Sequence, residues 1–316
     1  GQIARAAVLV ARQTRLGSSL DPALLFRAAR AQFSDALGEL AQKIEPVHTW
    51  EDLVLPDDAL DQLRELCARF IYRQRVMDDW GFDRKLSRGK GIAAMFAGPS
   101  GTGKTMAAEI IAGALNLDLY RIDLSQVVSK YIGETEKNLS RVFTAAAQGN
   151  AILFFDDADA LFGKRTEVRD SHDRYANIEI SYLLQQMETY EGISILATNL
   201  RQNIDPAFLR RLAFAVHFPF PDEDSRLLIW QGMWPQAVPL AEDADLVYLA
   251  RQFRLSGGNI KNVALAAAFL AAEAGEPVRM AHLLHAIRRE LEKAGKMLTE
   301  AERNGFFQES AEREAR

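Results

Sequence analysis

Cysteine is almost missing from this 316-residue chain, in which Cys67 stands alone. An internal disulfide is therefore impossible, and one thiol cannot build a thiolate metal cluster within a single chain. Long apolar runs are missing too. The longest, around Val263 to Ala272, is about half of the ~20 residues a membrane-spanning helix needs, so no transmembrane segment is expected. The opening stretch, from Gly1-Gln2-Ile3-Ala4-Arg5 onward, is interrupted by arginines, and no unbroken apolar core with a cleavage site marks a signal peptide. A reducing cytoplasm fits these absences. Gly rather than Met at position 1 is read as a processed, tagged or truncated product, which leaves room for a domain upstream. Excess positive charge is also lacking, because the net charge is −5. Affinity driven by phosphate neutralisation needs a basic surface, so nucleic acid is an unlikely partner on charge grounds.

What is present is an ordinary globular composition, 48% hydrophobic and 26% charged, on a chain long enough for two domains with cores of their own. Residues 1–45 are rich in Ala, Leu and Arg, and Asp21-Pro22 is placed like an N-cap and first helical residue for the run Ala23 to Ile44. This segment reads as a helical arm or linker. A second helix is expected from Pro56 to Asp79, with Leu60, Leu63, Leu66, Cys67 and Phe70 at three- and four-residue spacing.

Apolar, strand-like runs then alternate with helical patterns: Ile92 to Ala97, Leu117 to Ile122, Ala151 to Phe155, Ile193 to Ala197 and Ala213 to Phe218. Such alternation predicts an α/β fold, a parallel five-stranded sheet between helices. Phe218-Pro219-Phe220-Pro221-Asp222 breaks the pattern, since two prolines continue neither a ladder nor a helix. A domain boundary is expected there, closing a large α/β subdomain over 46–221. Beyond it Glu223 to Trp234, Ala244 to Arg254, Asn259 to Ala274 and Met280 to Lys293 are all helical in period, a small all-α subdomain over 222–296. The charged end, 297–316, is expected to fray.

Between the first strand and its helix lies Gly98-Pro99-Ser100-Gly101-Thr102-Gly103-Lys104-Thr105, which fits G-x-x-x-x-G-K-[ST] in the context that motif requires. Glycines let the backbone wrap a phosphate, with N–H groups and a helix N-terminus pointing inward. Lys104 is the candidate bridge between β- and γ-phosphates, and the Thr105 hydroxyl a magnesium ligand. The strand Ala151 to Phe155 ends in Asp156-Asp157, where a fold of this kind places its metal and water chemistry. Asp156 is the metal-side candidate and Asp157 the water-side one.

With these two motifs, and Leu196-Ala197-Thr198-Asn199 on the next strand, the chain from Trp50 to Lys293 resembles the AAA ATPases. The resemblance implies ATP and Mg2+, hydrolysis, and a ring, usually a hexamer, that pulls on or remodels a protein. Asn199 then corresponds to the polar sensor of γ-phosphate or water; a strand-end Asn that merely satisfies a loop is the plainer alternative. Asp157 stands where the family holds a glutamate that polarises the attacking water. Aspartate withdraws the carboxylate by roughly 1 Å, and a misplacement of that size costs on the order of 100-fold in rate unless the loop shifts or a water bridges the gap. Asp205-Pro206-Ala207-Phe208-Leu209-Arg210 fits the second region of homology, in which Arg210 would reach a neighbouring subunit's nucleotide. Ala213 replaces that region's second arginine and Ala215 its terminal acidic residue, with Arg211 adjacent but out of register.

Lys130-Tyr131-Ile132-Gly133-Glu134-Thr135-Glu136 is similar to the family's first pore loop, which implies Tyr131, between Lys130 and Ile132, as the grip on an extended peptide; an exposed tyrosine capping a helix is the plainer alternative. Asp170-Ser171-His172-Asp173-Arg174 would be the second pore loop. Ser256-Gly257-Gly258-Asn259-Ile260 opens a helix of the small subdomain, where Gly258 allows close backbone approach to adenine or ribose or simply starts the helix. By resemblance the adenine edge lies near Asp52-Leu53-Val54, and the boundary near Pro221 is a hinge. Leu161-Phe162-Gly163-Lys164-Arg165 and Tyr175-Ala176-Asn177-Ile178-Glu179 resemble more narrowly the bacterial AAA ATPases encoded beside phage-tail-like contractile injection systems. Two other classes stay open: a nucleotide-switched ring scaffold with weak hydrolysis, favoured by Asp157 and Ala213, and a nucleic-acid motor, weakened by the acidic balance.

Overall fold

The computed structural model describes residues 41–85, 91–127, 134–149, 151–159, 171–199, 209–293 and 295, with backbone alone at 125, 126, 148, 149 and 171–178. The chain divides into two compact units. Among the described residues, one comprises those up to Thr49, those within Asp57–Gly98 and those within Lys104–His217; the other comprises Trp50–Pro56, Pro99–Gly103 and those from Phe218 onward.

In the first unit the strands are β1 (Gln42–Ile44), β2 (Ile92–Ala97), β3 (Leu119–Asp123), β4 (Ile152–Asp156), β5 (Ile193–Thr198) and β6 (Phe214–His217). They form one sheet in the order β1-β3-β4-β5-β2-β6. The five expected strands are present, and each pairs parallel with its neighbour. β2 and β5 are buried along their whole length, which is why they read as unbroken apolar runs rather than alternating ones.

The sixth strand corrects an expectation. Gln42, Lys43 and Ile44 pair antiparallel with Arg121, Tyr120 and Leu119, so the chain through Ile44 is not helix there. Three residues carry no readable period, and the open edge of β3 decided their conformation. The rest of the helical run from Ala23 and the tail 297–316 lie outside the described residues.

Helices α1 (Asp57–Ile71), α2 (Lys104–Leu115), α3 (Leu124–Val127), α4 (Glu134–Gly149) and α5 (Ser171–Thr189) connect the strands. α1 buries Ala59, Leu63, Leu66 and Cys67, the stripe its spacing predicted. It stops at Ile71, short of the expected Asp79, and a π-helical turn over Arg75–Asp79 follows. Aromatic packing locks one face of the core: Phe143 stacks on Phe155 at 5.5 Å, and Tyr190 meets Phe143 edge-on at 5.7 Å. The Tyr190 hydroxyl donates to the Ala151 carbonyl, so its polar tip is satisfied inside that core.

The second unit holds α6 (Glu223–Gly232), α7 (Leu246–Gln252), α8 (Gly257–Ala274) and α9 (Met280–Lys293). Each of the first three starts at a side-chain cap. Asp222 accepts from the Ser225 N–H, Asp245 from that of Tyr248, and Ser256 and Asn259 form a reciprocal capping box. Gly275, at φ 70°, ends α8 in the left-handed conformation, which glycine adopts without steric cost. Trp230, Leu249, Phe253, Ile260, Val263, Leu283 and Ile287 fill this unit's core. Among the described residues no helix is long and apolar enough to cross a membrane.

Candidate active site

In an open parallel sheet the ligand crevice lies at the carboxyl ends of the strands, where the strand order reverses. Here β2 sits between β5 and β6, with β4 on the far side of β5. The segments leaving β2, β4 and β5 therefore emerge side by side, and they carry Gly98, Asp156-Asp157 and Asn199.

Lys104 opens α2 and is only 9% exposed. Its ammonium donates to the Gly98 carbonyl at 2.7 Å and to Asn199 Oδ1 at 2.9 Å. Burial holds its pKa below the usual lysine value, against the opposing pull of the Asp156, Asp159 and Asp157 carboxylates. A desolvated cation of this kind gains from an arriving polyanion what burial took away. Thr105 follows on the same helix turn, half-buried.

Asp156 closes β4. Its carboxylate pairs with the Arg121 guanidinium at 2.8 Å and accepts from the Asp157 N–H at 3.0 Å. Arg121 is 44% exposed, so the pair is solvent-screened and worth at most ~1 kcal/mol, weak enough for a divalent cation to displace. Asp157 is exposed and has φ 50°. This left-handed conformation disfavours most side chains, and aspartate tolerates it better than most because its short carboxylate bonds locally.

Sequence reasoning finds these two acids and misses a third. Asp159 accepts from the Asn199 backbone N–H at 2.9 Å, from its side-chain amide at 2.8 Å, and from the Thr198 hydroxyl. The Ala158 N–H donates to the Ala197 carbonyl at 2.9 Å, which keeps this segment against β5. The only signal in the sequence is a further aspartate in Asp156-Asp157-Ala158-Asp159.

Within the second unit the loop Pro99–Gly103 has a geometry of its own. The Thr102 hydroxyl donates to the Pro99 carbonyl at 2.8 Å. Gly101 and Gly103 have φ of 74° and 99°, a region that L side chains rarely enter. The Gly258 N–H donates to the Gly101 carbonyl at 2.9 Å. A Cβ on Gly258 would come within 3.1 Å of Gly101 Cα, and one on Gly103 within 3.2 Å of a Leu53 methyl. The close approach at Gly258 is to the backbone of the loop, at Gly101. Ser100 and Pro99 are exposed.

Taken unit by unit, these residues fit a nucleotide polyphosphate with Mg2+. In the second unit the loop is a cradle that side chains would fill; in the first, Lys104 is desolvated, and Thr105 and Asp156 offer the hard oxygen donors magnesium takes. Among the described residues no cluster of three or more His, Cys, Asp and Glu forms a protein-only metal site, and magnesium bound through phosphates needs none.

Arg210 is exposed in a turn. Its neighbour Arg211 pairs with Glu188 at 3.5 Å and is thus engaged within its own chain. Lys130, Tyr131 and Ile132 lie outside the described residues, as do 161–165, Asp170 and 201–208; from 171 to 178 the backbone is helical and the side chains are not described.

Residues 94–221 match the model of the ATPase family associated with various cellular activities (AAA). Proteasome-activating nucleotidase 1 of Haloferax volcanii is 31% identical over 234 residues, which cover 72% of this chain and 56% of that protein. A 26S proteasome regulatory subunit 6B homolog of Dictyostelium discoideum is 30% identical over 227 residues, 69% of this chain and 55% of the relative. An uncharacterized AAA family ATPase of Sinorhizobium fredii is 34% identical over 192 residues, 60% and 56%. The chain thus spans a little over half the length of these relatives.

Proposed function

We propose, from the match of residues 94–221 to the AAA family model, that this chain is an AAA ATPase that binds ATP with Mg2+, hydrolyses it in a ring of copies, six by resemblance, and uses the cycle to pull on or remodel another protein. The observation that carries the proposal is the buried Lys104 ammonium, held between the Gly98 carbonyl and Asn199 Oδ1 at the strand ends where the acidic residues also emerge.

Each residue has a definable task. The glycine loop presents backbone N–H groups to the phosphates. Lys104 keeps Asn199 Oδ1 as an acceptor and turns its other N–H donors to β- and γ-phosphate oxygens. Thr105 and Asp156 would hold Mg2+, which supplies charge neutralisation on the transferring phosphoryl group. Asp157 orients the attacking water and receives its proton, and the Asn199 amide orders that water or the γ-phosphate. Arg210 is proposed to stabilise the charge from across a subunit interface, a contribution worth on the order of 10³-fold in rate or more.

A protein substrate is supported by the relatives' names, a proteasome-activating nucleotidase and a 26S proteasome regulatory subunit, and by the aromatic loop Lys130, Tyr131 and Ile132. The finer reading, a component of a phage-tail-like contractile injection system as substrate, rests on the sequence at 161–165 and 175–179. The single cysteine supports the cytoplasm as its compartment. Asp157 and Ala213 favour one second reading, a ring scaffold switched by nucleotide with weak hydrolysis.

Lys104→Ala tests the proposal: binding of a fluorescent ATP analogue should disappear, and retained tight binding would remove the assignment. Tyr131→Ala separates the two readings. The remodeller predicts intact basal hydrolysis and lost substrate processing, whereas unchanged processing supports the scaffold.

A further inference from the structure

We infer that Asp159 is a positioning residue for nucleotide discrimination, acting through Asn199. The inference rests on the proposed function and adds to it a residue beyond Asp156 and Asp157. Asn199 lies just past β5, where an amide side chain has two orientations of similar shape and opposite polarity. Asp159 decides between them. Its Oδ2 accepts from Asn199 Nδ2 at 2.8 Å, and the same carboxylate accepts from the Asn199 N–H at 2.9 and 3.2 Å and from the Thr198 hydroxyl. With the amide nitrogen engaged there, Oδ1 faces the Lys104 ammonium at 2.9 Å. An ionised carboxylate accepts only, so it rejects the flipped amide, which would set oxygen against oxygen.

The amide therefore has one fixed polarity towards the buried lysine. A rigid hydrogen-bonding group of known direction distinguishes a terminal phosphate from its absence better than one that rotates. Asp159 touches neither phosphate nor water in this role.

The test compares Asp159→Asn with the unaltered protein, using Kd for ADP and for a non-hydrolysable ATP analogue, kcat, and the midpoint of thermal unfolding. The near-isosteric variant keeps an acceptor for the Asn199 N–H but admits both amide orientations. The ratio of analogue to ADP affinity should fall about tenfold, the loss of one well-directed hydrogen bond to a charged group, with ADP affinity changed by less than about twofold. Because the residue acts through Asn199, Asp159→Asn combined with Asn199→Ala should discriminate no worse than Asn199→Ala alone. A preserved ratio, an additive double variant, or equal losses for both nucleotides with a lowered unfolding midpoint would each overturn the inference. Failure of the proposed function is seen separately, as tight ATP binding by Lys104→Ala.

Discussion

Lys104 Nζ and Asn199 Oδ1 stand 2.9 Å apart, one at the first residue of α2 and the other just beyond the end of β5. The lysine's positive charge is thus already pointed along the strand ends before any phosphate arrives, and its partial desolvation makes it a poor place to leave a cation unpaired.

Asp157→Glu restores the longer side chain at the water-side position. If reach limits the rate, kcat should rise, by up to on the order of 100-fold. The left-handed backbone at φ 50° opposes the change, because aspartate enters that region more readily than glutamate. Stability is expected to fall by about 1 kcal/mol, read as a lower unfolding midpoint. Unchanged turnover would show that Asp157 is not impaired by its length.

Gly258→Ala places a methyl where only 3.1 Å separates it from Gly101 Cα, while the Gly101 carbonyl needs the Gly258 N–H. The loop backbone has to move by a few tenths of an ångström. Nucleotide affinity should drop several-fold to about tenfold by calorimetry, since small displacements of positioned groups are costly, while the helical content of the small unit stays unchanged by circular dichroism.

Arg210→Ala and Arg211→Ala should part company. Losing the exposed Arg210 is expected to reduce turnover about 10³-fold without weakening ATP binding. Arg211, already tied to Glu188, should show less than about tenfold change, because an exposed pair contributes little. Wild-type rates from Arg210→Ala would mean that another residue reaches the neighbouring site.

Glu290 links α9 to α8. Burial alone would raise its carboxyl pKa, but hydrogen bonds from Asn262 and Asn259 and the nearby Lys293 ammonium outweigh that and hold it below the usual carboxylate range. A depressed folded value means its contribution is complete above the unfolded carboxyl pKa of about 4.3 and lost as pH falls through the lower folded value. Glu290→Gln should cost about 1–2 kcal/mol at neutral pH. The difference from wild type in chemical denaturation should narrow below about pH 4; a constant difference down to pH 3 would contradict the linkage.

What the sequence disclosed depended on how local each feature is. Gly98 to Thr105 is contiguous, so its phosphate chemistry is legible without a fold, and the buried strands announce themselves because both faces are apolar. Asp159 was not legible, since its role depends on an asparagine forty positions away. β1 escaped for a related reason: three residues beside an edge take their conformation from that edge. The contact between Gly258 and Gly101 was not legible either, since the sequence pointed Gly258 only towards adenine or ribose.

That short strand has a further consequence. Without Gln42–Ile44, the outer side of β3 would present a row of unsatisfied amides and carbonyls, a template on which foreign chains can grow by β-pairing. Three antiparallel residue pairs blunt that row at little cost in chain length, and Lys43, ion-paired to Glu45 and Asp118, adds charge to it. A truncation that removes residues 42–44 is therefore a truncation of the protein's own protection against misassembly.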